Sequence, residues 1–374
     1  MIDDIYSSIK KRKAQILHTV DKAHDYFLSF CNARYDREHI SHYITKDCKL
    51  TSSERRLIKE KFGRIIPDVR IGYEFFTALK SLDRFDVRYV PSGYFFPYIV
   101  RTLNPDRFKQ LLAHKSLLPL IHETDIQQPE TPLKSIAGVF FNSHNKPISP
   151  AEAARIVSEL NTPLMYKPST DSSYGHGIKL FEEKELSNLA SEIKDLSILD
   201  KSKTDFVLQI PVRQSKQTKI FNPTSLNCMR VTTLNLNGKV TTDSITLKCG
   251  PTGAVVDNIG NGKRGVIVGV SQNGNLASHG FYGDGEKCFE HNGIRFEGQT
   301  IPDIHKVVNA AIVLHKQIDF CHVIGWDIAL DENDNPVLIE GNTNNPGISL
   351  EQMCSGPVFG NRIDEVIEFI IHKK

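Results

Sequence analysis

The sequence predicts a mixed α/β (α+β) protein, with a helical N-terminal region and two or three subdomains in all around a cleft. Three observations predict it. At 374 residues the chain exceeds the size that a single hydrophobic core usually serves. Strand and helix patterns alternate between residues 136 and 210. From Arg230 onward β patterning dominates and ends in a hairpin with two acids on one face.

In chain order, residues 3–30 and 52–82 have helical periodicity, and Thr51-Ser52-Ser53-Glu54 opens the second segment as a capping box. Residues 94–101 read as a short strand. Asn104-Pro105 then opens a helix carrying Phe108, Leu111, Leu112, Lys115, Leu117 and Leu118, which puts a boundary near Asn104. A strand at 136–141, a helix opened by Ser149-Pro150 with Glu152, and a strand at 164–167 follow. A strand at 178–181, a helix at 185–196 and a strand at 206–210 complete the alternating part. Asn237-Gly238 is a strong hairpin turn between strands at 231–236 and 239–247, and a second hairpin turns at 272–274. A helix at 304–318 precedes the acidic hairpin, and a helix at 363–371 closes the chain. The expected regions are 1–104, 105–212 and 213–374.

Composition narrows the function classes. A net charge of +2, from 46 basic and 44 acidic residues, gives no field suited to nucleic acid, and the one dense basic run, at Lys10–Lys13, sits inside a helical pattern. The seven cysteines are odd in number, scattered and never spaced C-x-x-C, which argues against a disulfide framework and a zinc site and fits a reducing compartment. The N-terminus has no apolar leader-like region, and no apolar run is long enough to span a bilayer. A cytoplasmic protein without membrane insertion is expected.

The most informative stretch is Gly325-Trp326-Asp327-Ile328-Ala329-Leu330, a turn at 332–335, and Val337-Leu338-Ile339-Glu340-Gly341-Asn342. Pairing Asp331 with Pro336 across that turn sets Asp327 opposite Glu340, and period-two alternation adds Asn342 to the same face. Opposed carboxylates repel. A hard cation between them removes the conflict, and two carboxylates with an amide oxygen suit Mg²⁺. The alternative is an exposed polar face on an ordinary hairpin. Trp326, the only tryptophan, points to the opposite, packed face.

Lys167 ends an apolar strand and leads into a small-residue loop holding Ser172, Ser173, Gly175, His176 and Gly177. Glycines let backbone N–H groups approach anionic oxygens, with the lysine as a fixed charge beside them, so the loop reads as a phosphate loop or as a plain hairpin loop. It matches neither the P-loop nor the dinucleotide fingerprint. Arg230 lies on a strand, placed for a transferred phosphoryl group or for a sheet-surface salt bridge. Lys248, Lys263 and Arg264 flank the Gly- and Asn-rich segment 250–265, suited to an anionic substrate or simply to a charged surface loop. His279, His291 and His322 have no partner at ligand spacing.

In order, Lys115, Lys167 with its loop, the strand Phe206-Val207-Leu208-Gln209-Ile210-Pro211-Val212, Arg230, and Asp327 with Glu340-Gly341-Asn342 resemble the ATP-grasp superfamily. Gly-Trp-Asp-Ile-Ala, Leu-Ile-Glu-Gly-Asn-Thr-Asn-Asn-Pro-Gly and Ser225-Leu226-Asn227-Cys228-Met229-Arg230-Val231-Thr232 are similar, more narrowly, to its sugar-transfer-associated members. The resemblance covers about residues 109–356 and implies two subdomains clasping ATP.

By that resemblance Lys115 and Lys167 are the nucleotide lysines, and Ser172, Ser173, Gly175, His176 and Gly177 belong to the loop that closes over the phosphates. Gln209, Ile210 and Val212 match the hinge at the adenine edge, with Gln214 reaching the ribose. The superfamily commonly has an acidic residue in the hinge, where this chain has glutamine. Asp327, Glu340 and Asn342 match the Mg²⁺ ligands, implying two ions bridged by Glu340, while Arg230 and Lys248 are the candidate catalytic residues. The implied activity is ADP-forming ligation of a carboxylate to an amine through an acyl phosphate. The implied setting is surface polysaccharide biosynthesis, with a hexuronic acid or an amino acid among the small-molecule substrates. A kinase acting on a hydroxyl, or a nucleotide-binding module without turnover, are the alternatives.

Overall fold

The structure, a computed structural model, describes residues 2–121, 124–170, 175–202, 205–256, 259 and 264–373. The chain divides into two units, Met1–Leu103 with Gly360–Lys374, and Asn104–Phe359.

The first unit is helical. Its long helix, Ile2–Ile40, is followed by Ser52–Phe62, whose Thr51/Glu54 capping box forms as expected. The helical pattern expected over 52–82 is broken between Phe62 and Val69, around Pro67, and resumes at Tyr73–Ser81. Residues 94–101, expected as a strand, are helical turns instead, with π-type bonding over Phe95–Val100. Their apolar run is buried all round, with Tyr94, Phe95 and Ile99 fully covered, and a run of that length reads alike for a strand and a buried helix. The buried carboxylate of Asp36 accepts from the Ser92 amide at 2.7 Å and from its hydroxyl at 2.6 Å, anchoring this turn. The closing helix, Ile363–Lys373, was expected with the C-terminal subdomain but belongs to this first unit. It buries Ile363, Val366, Ile367 and Ile370, and Asp364 pairs with Lys61 at 2.6 Å.

The second unit opens at Asn104, whose buried amide donates to the Val323 and Thr343 carbonyls and accepts from the His322 and Val323 amides. Helix Asp106–Ala113 ends earlier than the sequence suggests, because His114 turns extended, and Lys115 therefore lies in the turn after the helix. The first sheet contains β1 (Leu133–Ile136), β2 (Val139–Asn142), β3 (Pro147–Ile148), β4 (Leu164–Pro168), β5 (Lys179–Phe181) and β6 (Phe206–Gln209), in the order β3-β2-β1-β6-β4-β5. Every ladder is antiparallel. The single strand expected at 136–141 is two strands, since Ala137 and Gly138 both take positive φ and make a tight turn. Helix Pro150–Glu159, with Ser149 accepting the Glu152 amide at 3.2 Å, and helix Leu186–Lys194 cover one face through Leu133, Leu164, Phe206 and Leu208.

The second sheet is larger and also antiparallel. It contains β7 (Cys228–Leu236), β8 (Lys239–Cys249), β9 (Val266–Val270), β10 (Leu276–Tyr282) and β11 (Lys287–Cys288). A separate pair, β12 (Glu290–His291) and β13 (Ile294–Arg295), follows. With β14 (Val323–Leu330) and β15 (Pro336–Asn342) the sheet order is β11-β10-β9-β8-β7-β14-β15. The Asn237-Gly238 turn joins β7 to β8 as expected, both residues at positive φ. Helix Ile304–Lys316 covers one face through Val307, Ala311 and Leu314. The other face carries the charges.

Candidate functional site

Antiparallel pairing builds the charged row directly. Glu340 on β15 faces Asp327 on β14, Asp327 faces Arg230 on β7, and Arg230 faces Thr246 on β8, so one register line crosses four strands. The opposition of Asp327 and Glu340 agrees with the sequence reading, but the turn does not. Leu330, not Asp331, pairs with Pro336, and a bulge beyond Asp327 leaves Ile339 as the extra residue that restores the register.

Glycines set the close approaches. A Cβ on Gly325 would come 2.2 Å from the Pro346 carbonyl oxygen, and one on Gly341 would press the Trp326 ring at 3.1 Å. Gly347 has φ +87°, and the carboxylate of Glu351 and the guanidinium of Arg230 crowd its open side. Trp326 is fully buried, as its expected packing requires. Its indole N–H donates to the Thr233 hydroxyl at 2.9 Å, and that hydroxyl donates to Nδ1 of buried His315 at 2.6 Å. His315 Nε2 lies 2.9 Å from the Cys321 carbonyl oxygen, so Nε2 carries the proton.

On the charged face Arg230 grips Asp327 with two bonds, Nε to Oδ1 at 2.6 Å and Nη2 to Oδ2 at 2.9 Å. Lys248 adds a third, Nζ to Oδ2 at 2.9 Å. Arg230 is 8% exposed and Asp327 3%, so little water competes for these bonds. Burial alone would raise the Asp327 pKa, but attraction to Arg230 and Lys248, with their hydrogen bonds, holds it well below the usual carboxylate range. Burial opposes the Arg230 charge, yet Asp327, Glu351 and Glu340 together hold it firmly protonated. Lys115 Nζ lies 3.2 Å from Glu340 Oε2. Asn342 Nδ2 lies 3.2 Å from Glu340 Oε1 and 3.4 Å from Asp327 Oδ2.

The donor set fits a hard cation. Asp327 keeps an open lone-pair direction on Oδ1, Glu340 keeps room on both oxygens, and a half-turn of the Asn342 amide presents its oxygen. Among the described residues no group of three His, Cys, Asp or Glu clusters as a metal site, so the set here is two carboxylates and an amide.

Lys167 on β4 pairs with Val207 and shares its face. Gly175 and Gly177 take positive φ, and a Cβ on Gly177 would meet Pro168 at 2.9 Å. His176 is exposed beside them, while Ser172, Ser173 and Lys263 lie outside the described residues. Gln209 Nε2 donates to Thr131 at 3.2 Å, the Ile210 amide donates to the Glu130 carbonyl, and Val212 is half-buried. Gln214 is occupied within the chain, its amide N–H₂ going to the Asn222 and Ser225 carbonyls and its oxygen accepting from Asn227. Arg264 is exposed, bonded to Glu286 and laid over the Tyr282 ring.

Sequence reasoning missed two charged residues here. Glu351, beside Arg230, comes from helix Ser349–Ser355 and has no local pattern to mark it. Lys134, a lysine buried within a strand next to Leu133, was visible as a polar interruption.

The fold and the charged row define a class, an antiparallel two-sheet unit with cations and carboxylates on facing strands. The chain belongs to the sugar-transfer associated ATP-grasp family, whose profile matches residues 98–368. No curated protein matches it. Among solved structures it is similar to the ATP-grasp ligase PsnB complexed with minimal precursor, at 15% identity over 71% of this chain and 63% of that one, with a TM-score of 0.42. It is also similar to the VanG D-Ala:D-Ser ligase from Enterococcus faecalis, at 14% identity over 70% of this chain and 62% of that one, TM-score 0.41. Biotin carboxylase from Campylobacter jejuni matches at 13% identity over 70% of this chain and 46% of that one, TM-score 0.43. The chain thus spans less than two thirds of each. No helix among the described residues is long and apolar enough to cross a membrane.

Proposed function

We propose that this protein is an ATP-dependent carboxylate–amine ligase that uses Mg²⁺ and serves surface polysaccharide biosynthesis in the cytoplasm. The family supports the nucleotide chemistry and the setting. The observation that carries the reading is the row Lys115–Glu340–Asp327–Arg230–Lys248, in which paired carboxylates share one sheet face with Arg230 and Lys248 and Lys115 reaches them from the turn after its helix.

Phosphoryl transfer needs charge neutralisation and alignment more than covalent help. Asp327, Glu340 and Asn342 would hold two Mg²⁺ ions, which neutralise phosphate oxygens when bound. Lys115 and Lys167 hold the nucleotide, Gln209, Ile210 and Val212 line the adenine, and Gly175, His176 and Gly177 approach the phosphates. Arg230, fixed by Asp327 through Nε and Nη2, and Lys248 would stabilise the charge of the transferring group. A substrate carboxylate oxygen attacks the γ-phosphorus as the bond to ADP breaks, giving an acyl phosphate. The amine then attacks the acyl carbon, phosphate leaves, and the nitrogen gives up its proton.

The test is hydroxylamine with ATP, Mg²⁺ and candidate carboxylates, hexuronic acids and amino acids first, with no amine present. A hydroxamate is the expected product. Phosphate-ester formation with no hydroxamate from any acid, together with little free phosphate, points instead to a kinase and overturns the ligase reading.

A further inference from the structure

Lys134 is a buried charged group of the second unit that the chemistry above leaves unused. It sits in the middle of β1 at 3% exposure, and its Nζ donates to the Ser116 carbonyl at 2.8 Å. Among the described residues that is its one hydrogen-bond partner, although an ammonium carries three donors. Burial lowers its pKa, as expected of a desolvated amine without a carboxylate beside it. A leucine here would pack more cheaply.

The register says where the lysine faces. Lys134 pairs with Val207 on β6, and Val207 pairs with Lys167 on β4. Cross-strand partners share a face, so Lys134 and Lys167 flank Val207 about 10 Å apart across three strands. Their neighbours Leu133, Phe206 and Leu208 fill the helix-covered core on the opposite face. The acceptor of Lys134 is equally telling. Ser116 follows Lys115, its hydroxyl bonds that of Ser169, and the Lys115 amide donates to the Ser169 carbonyl at 2.9 Å. Ser169 lies two residues after Lys167. Three lysines from three chain segments are thus joined through one serine pair.

We propose that Lys134 is a positioning residue of the nucleotide site: it holds the Ser116 carbonyl, and through it the turn that aims Lys115 at the phosphates of a nucleoside di- or triphosphate. The inference rests on the nucleotide-binding part of the proposed function. It adds to that reading a device that fixes the turn from which Lys115 reaches Glu340, since Lys134 pins the carbonyl of the next residue.

The test is calorimetric binding of ADP, ATP and adenosine to Lys134→Met and Lys134→Arg, alongside the unmodified protein. For Lys134→Met the expected result is affinity for ADP and ATP about tenfold weaker or worse, with adenosine affinity unchanged. Lys134→Arg, which keeps a donor for the Ser116 carbonyl, should recover most of that loss. Lys134→Gln, polar and too short to reach, serves with the same expectation where the methionine variant does not fold. Unchanged ADP affinity in the methionine or glutamine variant overturns the proposal. So does an equal loss for ADP and adenosine, which marks a structural role alone. Failure of the unmodified protein to bind ADP or ATP defeats the nucleotide reading itself and is distinguishable from both.

Discussion

The two sheets of the second unit carry their charges in opposite ways. On the larger sheet each carboxylate of the row meets a cation of the same protein, Asp327 with Arg230 and Lys248, Glu340 with Lys115. On the smaller sheet the face bearing Lys134 and Lys167 offers Phe141, Val207, Met165 and Gln209 at the paired positions, and no acid among them. One face is neutralised internally. The other bears two lysines and no acid at those paired positions. On the proposed reading the first face would stabilise the transferring group and the second would contact the polyanion.

Breaking the balanced face should give the largest effects. On the proposed reading, Glu340→Ala should lower turnover about a thousandfold or more while the fold persists, because the carboxylate that would bridge the ions goes and phosphate charge would be left unneutralised. Activity like that of the unmodified protein at low Mg²⁺ would remove the metal assignment. Asp327→Ala leaves Arg230 buried without its partner, and should cost about 3–5 kcal/mol in urea unfolding. Asp327→Asn keeps the shape and should act mainly by raising the Mg²⁺ requirement, and an unaltered requirement would restrict Asp327 to holding Arg230.

How much of this was legible in the sequence differs between the same two faces. The Asp327–Glu340 opposition could be read because a hairpin register is arithmetic once a turn is chosen. It survived a wrong turn only because the Ile339 bulge offset a pairing shifted by one residue. Asn237-Gly238 and the Thr51 and Ser149 caps were legible since backbone geometry demands those residue types locally. Residues 94–101 were not, because a fully buried helix and a strand present the same apolar run. The Ala137 turn hid because alanine rarely takes positive φ. Lys134 showed as a polar interruption but its partner Ser116 did not, and Glu351 and His315 depend on partners far along the chain, which no local spacing encodes.

Beneath the balanced face, His315 provides a test that involves no ligand. Burial pushes its pKa from 6.5 down to about 4, and the ring is held neutral between Thr233 and the Cys321 carbonyl. The unfolded chain therefore takes up a proton before the folded one does. Stability is fully present above about pH 6.5 and declines as pH falls toward about 4, by about 3 kcal/mol in all. His291, also lowered by burial, adds in the same direction. Urea midpoints followed across this window check it, and a flat profile down to about pH 5 would mean that His315 is hydrated in the folded protein.

Lys167 should respond more gently, since its cross-strand neighbour is the apolar Val207 rather than a buried charge. If Lys167 holds the nucleotide as proposed, Lys167→Met removes that charge while keeping most of the stem volume and should weaken ATP binding about tenfold. Unchanged ATP affinity by calorimetry would take Lys167 out of the nucleotide site. Smallest of all should be Gly177→Ala. Gly177 has φ +76°, which costs alanine about 1 kcal/mol, and the new methyl group would stand 2.9 Å from the ring of Pro168. Pro168 follows Lys167 directly, so strain relieved by moving the proline also moves the lysine's backbone. The expected signature is a few-fold rise in KM for ATP with KM for the carboxylate unchanged. Equal rises for both substrates would place the loop over the acyl group rather than the phosphates, and the division of labour between the two faces would have to be redrawn.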